Sequence, residues 1–141
     1  MKDQDPVSVY PVTKQPEYHW SNRVMLITED EEVNFFYLKT LLKKTKARIL
    51  RAKNGKEAVE IIAEYKGDID LVLMDINMPV MDGYEAMRII KAKHPDLPII
   101  AQTAYTMNND RRKCLRAGFN DYIAKPINKV ALFRLVNDNL S

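Results

Sequence analysis

The stretch Leu71-Val72-Leu73-Met74-Asp75-Ile76-Asn77-Met78-Pro79-Val80-Met81-Asp82-Gly83 constrains the fold more than any other part of the chain. Its four leading apolar residues are bounded by charge on one side and by Pro79 and Gly83 on the other. That pattern reads as a short strand buried on both faces, as in parallel sheets. Asp75 stands where the strand ends. Burying a carboxylate without a partner is costly, so an acid at this point is held by a cation or opens into a crevice. Open parallel sheets place their ligand sites at the carboxyl ends of strands, which makes Asp75 a candidate nucleophile or metal ligand. The competing reading is an N-cap for the next helix. Asp82 weakens it, because Asp82-Gly83 lies closer to that helix and can do the capping.

Length permits one domain of usual size, 141 residues being too few for two comfortable ones. A net charge of +3, spread along the chain, is too mild to imply nucleic acid. Lys43, Lys44, Lys46, Arg48 and Arg51 come close together, which reads as a solvated face around a helix end. A single Cys114 excludes an internal disulfide and fits a reducing compartment, and with only His19 and His94 there is no Cys or His metal cluster. No apolar run approaches the ~20 residues of a membrane span. The acids and Pro6 at the start do not make a signal peptide. The expected location is therefore the cytoplasm, without membrane contact by this domain.

Taken in order, residues 1–22 carry Pro6, Pro11 and Pro16 without periodicity and read as an extended linker or tail, with the folded domain over 23–141. Tyr10, Tyr18 and Trp20 lie in that tail. Strands are expected at Val24 to Ile27, Ala47 to Ala52, Leu71 to Met74, Leu97 to Thr103 and Tyr122 to Ala124. Between and after them, helices are expected over Val33 to Lys44, Lys56 to Tyr65, Gly83 to Lys93, Asn108 to Ala117 and Asn128 to Leu140. The first helix carries Val33, Phe36, Tyr37, Leu41 and Leu42 at helical spacing, a core stripe. His94-Pro95 stops the third helix, Gly118 closes the fourth and Asn128 caps the last. Strand and helix alternate five times, so the fold class is α/β, a doubly wound five-stranded parallel sheet with five helices on its two faces.

The strand ends collect a distinctive set of side chains. Glu29 and Asp30 follow the first strand, Asp75 the third, Thr103 the fourth and Lys125 the fifth. Four consecutive acids from Glu29 to Glu32 repel one another unless a cation is present, although some of them also suit the first turn of a helix. Hard oxygen ligands without His or Cys suit Mg²⁺. A hydroxyl and an ammonium opposite them are the donors that a transferred phosphoryl group requires.

Glu29-Asp30, Asp75 with Met78-Pro79 and Met81-Asp82-Gly83, Thr103-Ala104, and Lys125-Pro126 together resemble the receiver domain of two-component response regulators. The resemblance covers roughly residues 23–140 and five motifs in order. It supplies the strand order 2-1-3-4-5, a flavodoxin-like topology that the sequence pattern does not itself give, and which brings the three carboxylates to one crevice. It further implies that Asp75 accepts a phosphoryl group from a kinase phosphohistidine, and that the domain promotes its own aspartyl phosphorylation and dephosphorylation. Glu29 and Asp30 would hold Mg²⁺ with Asp75 and the backbone carbonyl of Asn77. Lys125 and Thr103 would bond phosphoryl oxygens, with Thr103 and Tyr122 as the switch pair. Glu29 departs from the Asp common in the family and extends the carboxylate by one methylene. Asn77 and the bulky Tyr105 are candidates for tuning phosphoryl lifetime.

Other readings share parts of this pattern. A haloacid-dehalogenase-type phosphatase also places an Asp at a strand end, but it requires a second acid where this chain has Asn77. A flavodoxin-like binding module would cradle phosphate where Glu29 to Glu32 would repel it. A degenerate receiver, serving only for docking, would not keep every functional position filled. The segment from Thr103 to Pro126 resembles receivers of hybrid histidine kinases. With the domain ending near Leu140 and a tail before Trp20, the expectation is a receiver from such a kinase. It would pass phosphate to a histidine phosphotransfer protein, with a freestanding receiver as the alternative.

Overall fold

The computed structural model describes residues 17–104 and 110–140. Five strands, β1 (Val24–Thr28), β2 (Arg48–Ala52), β3 (Leu71–Asp75), β4 (Ile99–Thr103) and β5 (Asp121–Ala124), alternate with α1 (Glu32–Lys43), α2 (Gly55–Glu64), α3 (Gly83–Lys93), α4 (Asp110–Ala117) and α5 (Lys129–Leu140). The strands form one sheet in the order β2-β1-β3-β4-β5. Every pairing is parallel, with Leu26 opposite Leu50 and Val72, Leu73 opposite Ile100, and Ala101 opposite Tyr122. The start of α4, expected from Asn108, and Tyr105 with its lifetime role lie outside the described residues, as do Tyr10 and the tail up to Pro16.

Side chains alternate across a strand, and here the alternation feeds two cores. Met25, Ile27, Leu71, Leu73 and Ile100 join Leu38, Leu41 and Leu42 of α1 and Leu132, Val136 and Leu140 of α5. Leu26, Val72, Met74, Ile99 and Ala101 join Ala58 of α2, Ala86, Met87 and Ile90 of α3 and Cys114 of α4. All five residues of β3 are buried, which is why its sequence has no polar alternation. The caps follow from the loop residues. Asn54 accepts from the Glu57 N–H, Asp82 from the Glu85 N–H and Asn128 from the Ala131 N–H, each at 2.9 Å. Asp82 thus takes the capping role and leaves Asp75 free for other work.

Two readings of the sequence are corrected. On α1 the buried residues are Leu38, Leu41 and Leu42, whereas Val33, Phe36 and Tyr37 are 82%, 69% and 41% exposed. The apolar spacing spans two faces of the helix, only one of which meets the sheet. Arg51 is not part of a solvated basic face. Its guanidinium lies 4.4 Å from the Phe35 ring centre and bonds Glu32 at 2.7 Å. Before β1, Trp20 is 6% exposed and donates its backbone N–H to the Thr45 carbonyl at 2.7 Å. Tyr18 stacks on Trp20, and both rings meet Phe133 of α5 edge to face. The last residues before β1 are thereby fastened to the domain.

Candidate functional site

The parallel order sets β1 beside β3, so the ends of these two strands open into one crevice. Glu29 and Asp30 follow β1 and Asp75 ends β3. One carboxylate oxygen from each of the three lies within 4.8 Å of the others. Glu29 is fully buried, Asp75 is 4% exposed and Asp30 faces solvent. Lys125, just beyond β5, reaches across two strands. Its Nζ lies 3.0 Å from Asp75 Oδ2 and 3.2 Å from Glu29 Oε1.

Further bonds fix the crevice. The Asn77 N–H donates to Asp75 Oδ1 at 3.1 Å, and the Glu31 N–H donates to Glu29 Oε2 at 3.1 Å. The Asn34 side-chain amide donates to Glu29 Oε1. Gly83, opening α3, donates its N–H to the Ile76 carbonyl at 2.9 Å and packs so closely that a Cβ there would stand 2.6 Å from the Asp75 carbonyl oxygen. Only glycine allows this loop to fold back under Asp75. Thr103 is 3% exposed at the end of β4, paired with Ala124, and its carbonyl accepts the Lys125 N–H at 2.8 Å. Tyr122 is half-buried on β5, opposite Ala101.

Electrostatics follow from this packing. Burial pushes the Asp75 carboxyl up to about 6, and the Glu29 charge adds to the rise against the opposing Lys125 bond and Asn77 N–H. Burial alone would lower Lys125, but its bond to Asp75 and the charges of both carboxylates outweigh it and raise the ammonium above its ordinary value. Two carboxylates at this spacing share one ammonium and remain in mutual repulsion, an arrangement that a divalent cation relieves. The donor set fits Mg²⁺: three hard carboxylates, one of them exposed to solvent, and no His or Cys among the described residues near them.

The sequence-derived residues Glu29, Asp30, Asp75, Asn77, Thr103 and Lys125 therefore stand at the carboxyl ends of the strands. Two residues that hold the site escaped sequence reasoning. Asn34 sits two residues past the acidic run, in the first turn of α1, and the one trace of its role in the sequence is an amide among apolar neighbours. Arg51 looks like one more surface cation until its place opposite Ile27 is known.

Comparison with known proteins agrees with this architecture. The family described as response regulator receiver domain matches residues 25–137. Hybrid signal transduction histidine kinase I of Dictyostelium discoideum is 40% identical over 123 residues, covering 82% of this chain. The chain spans only 7% of that relative's length. The receiver domain of a sensor histidine kinase from Pseudomonas aeruginosa PAO1, solved with a magnesium ion coordinated in its active site cleft, is 36% identical with a TM-score of 0.76, over 84% of this chain and 97% of that one. The receiver domain of Ssk1 from Saccharomyces cerevisiae, solved with the histidine phosphotransfer protein Ypd1, is 35% identical with a TM-score of 0.75, over 84% of this chain and 88% of that one. No helix among the described residues is long and apolar enough to cross a membrane. With a match that runs from the first strand into the last helix, and a sheet built in the same order, the chain belongs to the response regulator receiver domain family of two-component signalling.

Proposed function

We propose that Asp75 accepts a phosphoryl group from the phosphohistidine of a histidine kinase. The observation that carries this is the single ammonium of Lys125 held between Asp75 and Glu29 at the end of a fully buried strand. An Asp75 oxygen attacks phosphorus, the phosphorus–nitrogen bond to the imidazole breaks, and its electron pair returns to the imidazole ring. Glu29, Asp30, Asp75 and the Asn77 carbonyl are the groups that would hold Mg²⁺, which when bound offsets the charge of phosphoryl and carboxylate oxygens. Lys125 balances charge on the transferred group, and Thr103 supplies a hydroxyl donor beside it. Movement of Thr103 toward the phosphoryl group frees space for Tyr122, which alters the surface around β5. Asn77 and Tyr105 set how readily water reaches the product.

The parent context that the relatives favour is a hybrid kinase in a phosphorelay, with onward transfer to a histidine phosphotransfer protein. Exposed Val33, Phe36 and Tyr37 support this, since α1 begins within the acidic run, at Glu32, and offers an apolar face beside the crevice. Incubation with a phosphorylated histidine phosphotransfer protein and Mg²⁺ tests the reading. Label should move to the chain, remain absent from Asp75→Asn and slow with Phe36→Ala. Equal labelling of Asp75→Asn refutes the acceptor, and unchanged transfer to Phe36→Ala refutes the docking face.

A further inference from the structure

We propose that Asn34 is a positioning residue for the cation site, its side-chain amide holding the Glu29 carboxylate in the orientation that faces Asp30 and Asp75. This rests on the reading of Glu29 as a Mg²⁺ ligand. The main chain at Glu29 is already fixed, since its N–H donates to the Ala52 carbonyl at 2.9 Å and its own carbonyl accepts from Arg51 Nε at 3.3 Å and Nη2 at 3.1 Å. What remains free is a side chain with one more rotatable bond than Asp. Three donors restrain it. The Glu31 N–H takes Oε2, while Asn34 and Lys125 share Oε1.

These donors differ in kind. Lys125 divides its ammonium between Glu29 and Asp75, so it competes with a cation for both carboxylates. The Asn34 amide is neutral. It anchors Oε1 through one lone pair without cancelling the charge that attracts a divalent ion, and leaves the side that Lys125 now takes. Its own place is secured by the first turn of α1, which Arg51 ties down through Glu32 and Phe35. Outer-shell partners of metal ligands act in this way, by fixing the orientation of the group that binds.

The test is a double-mutant cycle read by electron paramagnetic resonance of free Mn²⁺, with Mg²⁺ as competitor, on the unaltered chain, Asn34→Ala, Glu29→Ala and the double variant. Loss of an outer-shell bond of this kind lowers metal affinity by about tenfold, so Asn34→Ala should weaken Mn²⁺ binding by roughly that factor. In the Glu29→Ala background the same substitution should change nothing further. Asn34→Ser, too short to reach Glu29, should behave as Asn34→Ala does, and both should keep the far-ultraviolet circular dichroism of the parent. Unchanged affinity in Asn34→Ala, or an equal loss in both backgrounds, overturns the positioning role while leaving the metal site intact. Absence of binding by the unaltered chain, or full affinity in Glu29→Ala, overturns the ligand reading on which it rests.

Discussion

Replacing Asp75 by Asn isolates the electrostatic cost of the crevice. In the unfolded chain Asp75 titrates near 3.8, and in the fold burial and Glu29 lift it to about 6. The folded state thus binds the proton more tightly than the unfolded one. The resulting stabilisation is complete below 3.8 and is lost as pH rises through about 6, the reverse of an ordinary salt-bridged carboxylate. At about 1.4 kcal/mol per pH unit, the stretch from pH 4 to about 6 is worth roughly 2 to 3 kcal/mol. The amide that replaces the carboxyl in the variant does not titrate, so subtraction removes the contributions of other groups. Urea unfolding of both proteins without divalent cations, from pH 4 to pH 7, measures the difference. The stability of the parent relative to Asp75→Asn should fall by about 2 to 3 kcal/mol across that range. Millimolar Mg²⁺ at pH 7 should stabilise the parent and do little for the variant. A difference that stays flat, or that rises with pH, refutes the claim that Asp75 is strained as a carboxylate.

Other expectations follow from the loops and the amino-terminal segment. Gly83→Ala places a methyl 2.6 Å from the Asp75 carbonyl oxygen, and the overpacking should cost about 1 to 3 kcal/mol in urea unfolding and slow labelling of Asp75. Val80 has a φ of 71° and is 77% exposed. Relief of the left-handed strain outweighs the added chain entropy, so Val80→Gly should raise stability by roughly 0.5 to 1 kcal/mol, and a loss in stability would contradict the backbone geometry. Trp20→Ala empties a site between α1 and α5 and should cost about 3 kcal/mol or more. Unchanged stability would mean that the segment before β1 is not fastened to the domain.

The sheet was legible because buried strands leave apolar runs, and the site because the residues that end them are polar in a fixed order. Strand order was not legible from the pattern, since β3 follows β2 in sequence yet pairs with β1. It came instead from the family resemblance. The α1 stripe misled because Val33, Phe36 and Tyr37 satisfy the same spacing as a core face while lying on the side away from the sheet. Asn34 and Arg51 were illegible for a related reason. Their roles depend on how the loop after β1 folds back against β2, which no spacing along the chain records. Tyr18 and Trp20 stood among prolines that read as a tail, and their packing against Phe133 of α5 is a long-range contact that no spacing along the chain records.

The central claim is that phosphoryl transfer ends on Asp75. The most direct measurement is incubation with phosphoramidate and Mg²⁺, followed by borohydride reduction of the acyl phosphate and peptide mass spectrometry. Reduction should convert Asp75 alone to homoserine, with labelling lost in Asp75→Asn and suppressed by chelation of Mg²⁺. Modification at Asp30 or Asp82 instead, or labelling that persists in Asp75→Asn, would contradict the account.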